Sequence, residues 1–193
     1  YGKPLKAADQ MTTFKMVVNT VADRNGLCAD FSPVPLADKP GNGYHINIFA
    51  EDSNGEDVCK YAAAGILDKI SDMTIFLNPT DGSYTRFGNT TAPDRINWSG
   101  EGEAGLLYIS DIKGMTRAEL RSPDALSNPY LAYALLIYAG LYGIENKLTL
   151  PKEMDPEGIL LPRSRKEASE IAKASDFIKE LLPKEIIESY VRI

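Results

Sequence analysis

The feature that most constrains this chain is an alternation running through residues 106–121. Leu106 to Ile112 and Thr116 to Arg121 each largely alternate apolar and polar side chains, with Lys113-Gly114 between them. Two short runs of this kind around a glycine dipeptide specify a β-hairpin, and successive side chains in its strands point to opposite faces. In the second strand Arg117, Glu119 and Arg121 take one face, and Ala118 and Leu120 take the other. A sheet with one charged and one apolar face needs a hydrophobic layer packed against the second.

The remaining sequence offers helices for that layer. Residues 7–25 carry Ala7, Met11, Phe14, Val18, Val21 and Ala22 at three-and-four spacing, with Gly26 beyond them as a C-cap. Val58 to Ile75 reads as a second helix. Pro129 opens the clearest one, Tyr130 to Lys147, which is apolar almost all round (Leu131, Ala134, Leu135, Ile137, Tyr138, Leu141) and is expected to be buried on most sides. Ser164 is expected to cap a helix to about Ser175, and Asp176 another ending near Leu182. Leu27 to Phe31 reads as a strand ended by Pro33 and Pro35. Tyr44 to Phe49 alternates, with His45, Asn47 and Phe49 opposite Ile46 and Ile48. Asn78-Pro79-Thr80-Asp81-Gly82 reads as a breaker, and residues 86–105 and 151–162 as loops. Helices mixed with antiparallel hairpins make an α+β signature, here a single domain over residues 1–193.

Composition agrees and narrows the partners. With 44% hydrophobic and 25% charged residues the chain resembles an ordinary globular domain. A net charge of −6, without a localised basic patch, argues against nucleic acid as a partner. No apolar run approaches the roughly 18 residues of a membrane span, so no membrane partner is expected. Cys28 and Cys59 are too few for a disulfide framework or zinc site and read as buried thiols of a reduced compartment, so a cytoplasmic location is expected. The chain begins at Tyr1 and not at methionine, so a processed or cloned fragment is the expectation.

Three groups could carry chemistry. His45 is the only histidine, on the polar side of a strand entered through Gly41 and Gly43; it is either structural or part of a site that a ligand approaches closely. Arg117, Glu119 and Arg121 are either a solvated, ion-paired strand face or a carboxylate with flanking guanidiniums that holds a metal and an anion together. His45 with Glu119 would give a mixed nitrogen and oxygen donor pair suited to magnesium or manganese, with further ligands needed from outside this chain. Arg86, on a turn after the breaker, reads by itself as a surface arginine. No P-loop, nucleophile elbow or Cys/His pairing is present.

Longer blocks then add a family. Phe31-Ser-Pro-Val-Pro-Leu followed by Gly41-Asn-Gly-Tyr-His45 resembles "F-M-P-K-P … G-S-G-M-H". Leu77-Asn-Pro-Thr-Asp-Gly-Ser-Tyr-Thr-Arg86 is similar to "N-P-T-x-N-S-Y-K-R". Arg117-Ala-Glu-Leu-Arg-Ser-Pro-Asp124 through Ser127-Asn-Pro-Tyr-Leu-Ala132 resembles "R-x-E-x-R-x-P-D … N-P-Y-L". Ala139 to Lys147 resembles "A-G-L-D-G-I-x-N-K", and Leu161 to Ala168 resembles "L-P-x-S-L-x-E-A". These are blocks of the glutamine synthetases, and the chain resembles the C-terminal part of their catalytic domain over essentially its whole length.

That resemblance implies an antiparallel half-barrel sheet packed by helices, with the family's N-terminal small domain and first catalytic strands absent. It implies an ATP-dependent ligase that joins ammonia to the side-chain carboxylate of glutamate through γ-glutamyl phosphate, with Mg²⁺ or Mn²⁺ and a homo-oligomeric parent. It makes His45 and Glu119 metal ligands. Arg86 and Arg121 become catalytic, glutamate-clamping arginines, Gly41 part of the glutamate-binding loop, and Arg117 an ATP-side residue. This chain alone is expected to be inactive.

The departures lie on the phosphate side. Where the family reads "W-S-x-R-N-R-S-A-x-I-R-I-P", this chain has Glu103 and Tyr108 in place of arginines, and Thr91 lies nearest the expected flap glutamate. They keep two alternatives in view: a non-catalytic binding or scaffold relative, and a ligase of the same family that couples glutamate to a different amine.

Overall fold

A computed structural model describes residues 2–88, 91–100, 102 and 105–192. Glu103 lies outside the described residues. The hairpin forms as expected: β3 (Leu107–Ile112) and β4 (Met115–Leu120) pair antiparallel, with Tyr108 opposite Glu119 and Ser110 opposite Arg117. Lys113 and Gly114 make the two-residue turn, with φ of 56° and 82°. Two positive φ values in succession give a turn whose twist matches that of the strands. β1 (Ile46–Ile48) adds antiparallel to the other edge of β4, placing Asn47 beside Glu119. β2 (Trp98–Ser99) joins β3 in parallel, so the open four-stranded sheet runs β1-β4-β3-β2.

The apolar face of this sheet carries Ile46, Leu107, Ile109, Ala118 and Leu120, all buried. Beneath it lies α2 (Cys59–Leu77), which is buried along nearly its whole length. α4 (Pro129–Glu145) packs against α2, and α5 (Arg165–Ala174), α6 (Asp176–Leu181) and α7 (Lys184–Val191) close the layer. The helices α2 and α4 cross at glycines. A Cβ at Gly65 would collide with the Ala139 carbonyl and lie 2.6 Å from the Gly143 nitrogen, so only hydrogen there permits the close approach. α1 (Pro4–Arg24) lies against α4 and buries only Ala8 fully. Among the described residues, no helix is long and apolar enough to cross a membrane.

Several sequence expectations give way to packing. The segment 27–31 forms no strand; the Asp30 carboxylate accepts from the Ser32 amide, and the Asn42 side chain ties the backbone carbonyls of Asp30 and Ser32. The breaker at 78–82 contains the start of a one-turn helix, α3 (Asp81–Tyr84), closed by a Thr80/Ser83 capping box. α4 is less enclosed than its composition suggests, because Ile137, Tyr138 and Leu141 remain exposed. The N-cap of α6 is Ser175, whose side chain accepts from the Ile178 amide, and Asp176 is the first helical residue. Cys59 is buried, but Cys28 is exposed.

Candidate functional site

The polar face of β4 gathers the proposed ligands. His45 immediately precedes β1 and Glu119 sits on β4, and their side chains meet, with His45 Nδ1 3.1 Å from Glu119 Oε1. The other ring nitrogen, Nε2, lies 3.3 Å from the Thr91 carbonyl. An imidazole nitrogen and a carboxylate oxygen held 3.1 Å apart make a mixed donor pair, and nitrogen and oxygen donors suit magnesium or manganese. The residues thus fit a divalent ion as a two-donor half-site. Among the described residues, no group of three His, Cys, Asp or Glu gathers at one point.

Two guanidiniums complete the surroundings of Glu119. Arg121 Nε lies 3.7 Å from Oε1, and Arg117 Nη2 lies 3.8 Å from Oε2. Arg121, just past the end of β4, is only 3% exposed. Arg117 is half-buried; its Nε donates to Ser110 Oγ at 3.1 Å, and its guanidinium lies 5.5 Å from the centre of the Tyr108 ring. Ser110 escaped the sequence reading, although counting back from the Lys113-Gly114 turn places it opposite Arg117. Tyr108 stands opposite Glu119 on the same face, as the period-two pattern requires.

Arg86 is not a surface residue. It is 2% exposed, and its guanidinium donates to the carbonyls of Ser122 (3.1 Å) and Pro123 (3.4 Å) and to Asn78 Oδ1 (3.4 Å). Burial lowers its pKa from the ordinary value, and the charge of Asp124 opposes that shift. The loop of Gly41 and Gly43 packs on it: a Cβ at Gly41 would lie 2.8 Å from Arg86 Cγ. A Cβ at Gly43 would meet His45 Nε2 at 3.1 Å and Arg86 Nη2 at 3.4 Å, so this glycine lets the imidazole and guanidinium approach the same point. Asp124, singled out only as part of a motif, proves to be a node. It is fully buried, its Oδ1 accepts from the Leu126 amide, its own amide donates to Leu77, and it bridges to Gly43. Lys15 of α1 reaches the adjacent Ala125 carbonyl.

The structure therefore brings His45, Glu119, Arg117 and Arg121 together, with Arg86 and Gly41 joined to them through Gly43. An open sheet face that offers a nitrogen and oxygen donor pair beside several guanidiniums is suited to holding a cation together with an anion. The family model for "Glutamine synthetase, catalytic domain" matches residues 1–193. The glutamine synthetase of Methanosarcina mazei is 36% identical across 99% of this chain and 49% of its own length. That of Clostridium saccharobutylicum is 34% identical with the same coverage. Among solved structures, one described as "GmaS/ADP complex-Conformation 1" superposes with a TM-score of 0.88 at 27% identity, over 100% of this chain and 50% of the other. "Apo GmaS without ligand" gives 0.87 at 27% identity, over 99% and 49%. The chain belongs to the glutamine synthetase catalytic-domain family, and it spans about half the length of the curated relatives it matches.

Proposed function

We propose that this chain is the C-terminal part of the catalytic domain of an ATP-dependent ligase that joins ammonia to the side-chain carboxylate of glutamate. The observation that carries this reading is the meeting of His45 and Glu119 on one open face, between Arg117, Arg121 and the Gly43–Arg86 contact. In the reaction a glutamate side-chain oxygen attacks the terminal phosphorus of ATP, giving γ-glutamyl phosphate and ADP. Ammonia then displaces phosphate at the acyl carbon. His45 and Glu119 would hold Mg²⁺ or Mn²⁺, which when bound supplies positive charge against the transferring phosphoryl group. Arg121 offers a planar fork to the substrate carboxylate and acyl phosphate, and Arg117 faces the nucleotide side. Arg86, held on three oxygen acceptors, sets the Gly41–Gly43 loop against which glutamate is bound. The remaining metal ligands come from sequence outside this chain, in a homo-oligomeric parent. A cytoplasmic location accords with two cysteines that form no disulfide.

A second reading draws support from Tyr108. A neutral ring stands in the row with Glu119 where the family resemblance calls for a phosphate-binding cation, which suits a ligase for a different amine or a non-catalytic relative. Assays of the longer protein separate these readings. ATP-dependent glutamine formation, lost in Glu119→Gln while the melting temperature stays within about 4 °C, is expected for the first. Product formation only with a substituted amine marks the second. γ-Glutamyl transfer by the 193-residue chain alone, above a His45→Ala control, overturns the proposal that the missing ligands are essential.

A further inference from the structure

Glu119 is a shared carboxylate. Beside His45 at 3.1 Å, it faces Arg121 at 3.7 Å and Arg117 at 3.8 Å, so two unit positive charges already stand around the oxygens that would hold a dication. Arg117 is not there by chance. The Ser110 hydroxyl accepts from its Nε and the Tyr108 ring, opposite Glu119, lies against its guanidinium, and both hold it along β4 toward Glu119. Arg121 is buried, so its charge is poorly screened by water.

Electrostatics then sets a condition on this site. For a dication and one guanidinium held within about 5 Å of each other by a common carboxylate, even water's full screening leaves a repulsion worth ten- to twentyfold in affinity. Two guanidiniums in a partly buried site oppose the ion more strongly. An anion that engages the arginines changes the balance, because it neutralises them and draws them from the carboxylate.

We propose that Arg117 and Arg121 make cation and anion binding at this site interdependent. With no anion bound, the guanidiniums occupy the Glu119 carboxylate and exclude the divalent ion. A ligand bearing carboxylate or phosphate groups takes the guanidiniums and admits it. The coupling is reciprocal, so the ion strengthens anion binding by the same factor. The inference rests on the reading of His45 and Glu119 as metal ligands, and it gives the two arginines a regulatory role beyond holding substrate.

The test titrates the longer protein, in which the remaining metal ligands are present, with Mn²⁺ to millimolar concentrations and counts free ion by its paramagnetic resonance, alone and with L-glutamate or inorganic phosphate. The effect of phosphate on free ion is measured in buffer and subtracted. Mn²⁺ affinity is expected to rise about tenfold or more with either anion. Arg117→Met is expected to raise the anion-free affinity by about the same factor and to shrink the anion's effect. His45→Ala is expected to abolish binding throughout. Arg117 is the primary variant because it is only half-buried; Arg121→Met is added where it folds. Equal Mn²⁺ affinity with and without anion, or an anion-free affinity unchanged by Arg117→Met, overturns the coupling and leaves the metal reading intact. Binding unaffected by His45→Ala, or no binding under any condition, overturns the metal reading and the coupling with it.

Discussion

The helix layer under the sheet and the polar face above it are built from alternate residues of the same strand, yet different forces hold them. Below β4, Ala118 and Leu120 are fully buried against α2, and α2 meets α4 where Gly65 and Gly143 leave no room for a side chain. Above β4, Glu119 is held by His45, Arg117 and Arg121 at 3.1–3.8 Å, in contacts that a ligand can exchange for its own. Close packing is intolerant because backbone atoms cannot turn aside. The contacts of Glu119 with the partly exposed Arg117 and His45 can be remade, since partly exposed pairs contribute only about 0–1 kcal/mol each. Stability is thereby concentrated on one side of a strand and chemistry on the other.

The largest effect is expected where that division is attacked from below. In Gly65→Val the new atoms meet the Ala139 carbonyl and the Gly143 backbone, and no rotamer relieves the contact. The helices must separate, which costs about 3 kcal/mol or more and lowers the melting temperature by roughly 6–12 °C. Gly140→Ala is the matched control, because its Cβ would come no closer than 3.3 Å to the Ala62 Cβ and would otherwise make ordinary contacts with Ala62. Its stability is expected to stay within about 1 kcal/mol of the parent chain, since alanine also gains helix propensity. Equal losses in the two variants, measured by thermal unfolding, would show that the crossing is not the tight point inferred here.

How much of this was legible beforehand follows the same division. The period-two row Arg117, Glu119, Arg121 and the turn at Lys113-Gly114 are local, so the sequence alone placed the charged face and its apolar reverse. The helices were visible by their spacing, but the exposed side of α4 was not, because composition cannot say which apolar face finds a partner. Segment 27–31 looked like a strand and lacks one to pair with. The meeting of His45 with Glu119 joins residues 74 apart; their donor types suggested the pair and the family resemblance made both of them ligands, but no local pattern brings them within reach of each other. The burial of Arg86 was invisible because two of its three acceptors are backbone carbonyls, which leave no mark in side-chain identity.

A second prediction probes the node between the two regions. Burial raises the pKa of Asp124 from its ordinary value of 3.8, while Ser83, the Leu126 amide and Arg86 oppose the shift. A carboxyl with a raised folded-state pKa binds its proton more tightly when folded than when unfolded. Its contribution to stability is therefore fullest below the unfolded value and declines as pH rises through the folded one. Relative to Asp124→Asn, which cannot titrate, the parent chain is expected to lose stability as pH is raised from about 4 toward neutrality. Urea unfolding of both proteins across that range measures the difference. A difference that is flat, or that grows in favour of the parent chain with rising pH, would mean that Arg86 and the amide donors outweigh burial.

The smallest effect is a labelling rate, and it reports on the seam between sheet and helices without altering either. Cys28 is exposed. Cys59 opens α2, its thiol points at the Ile48 carbonyl of β1 (3.5 Å), and burial pushes its pKa up to about 11. Thiolate is the reactive form, so near pH 8 a thiol reagent should find Cys59 both unreachable and almost wholly protonated. One equivalent is expected to react promptly, at Cys28, with Cys28→Ser removing that phase. Cys59 should follow only when α2 parts from the sheet, so its rate measures how often the helix layer opens. Gly65→Val should accelerate that slow phase, whereas Glu119→Gln, acting on the face above, should leave it within about a factor of three. Two equally fast phases in the parent chain would place Cys59 at a seam that opens freely, and the contrast between a rigid underside and a remakeable upper face would fail at that end of the sheet.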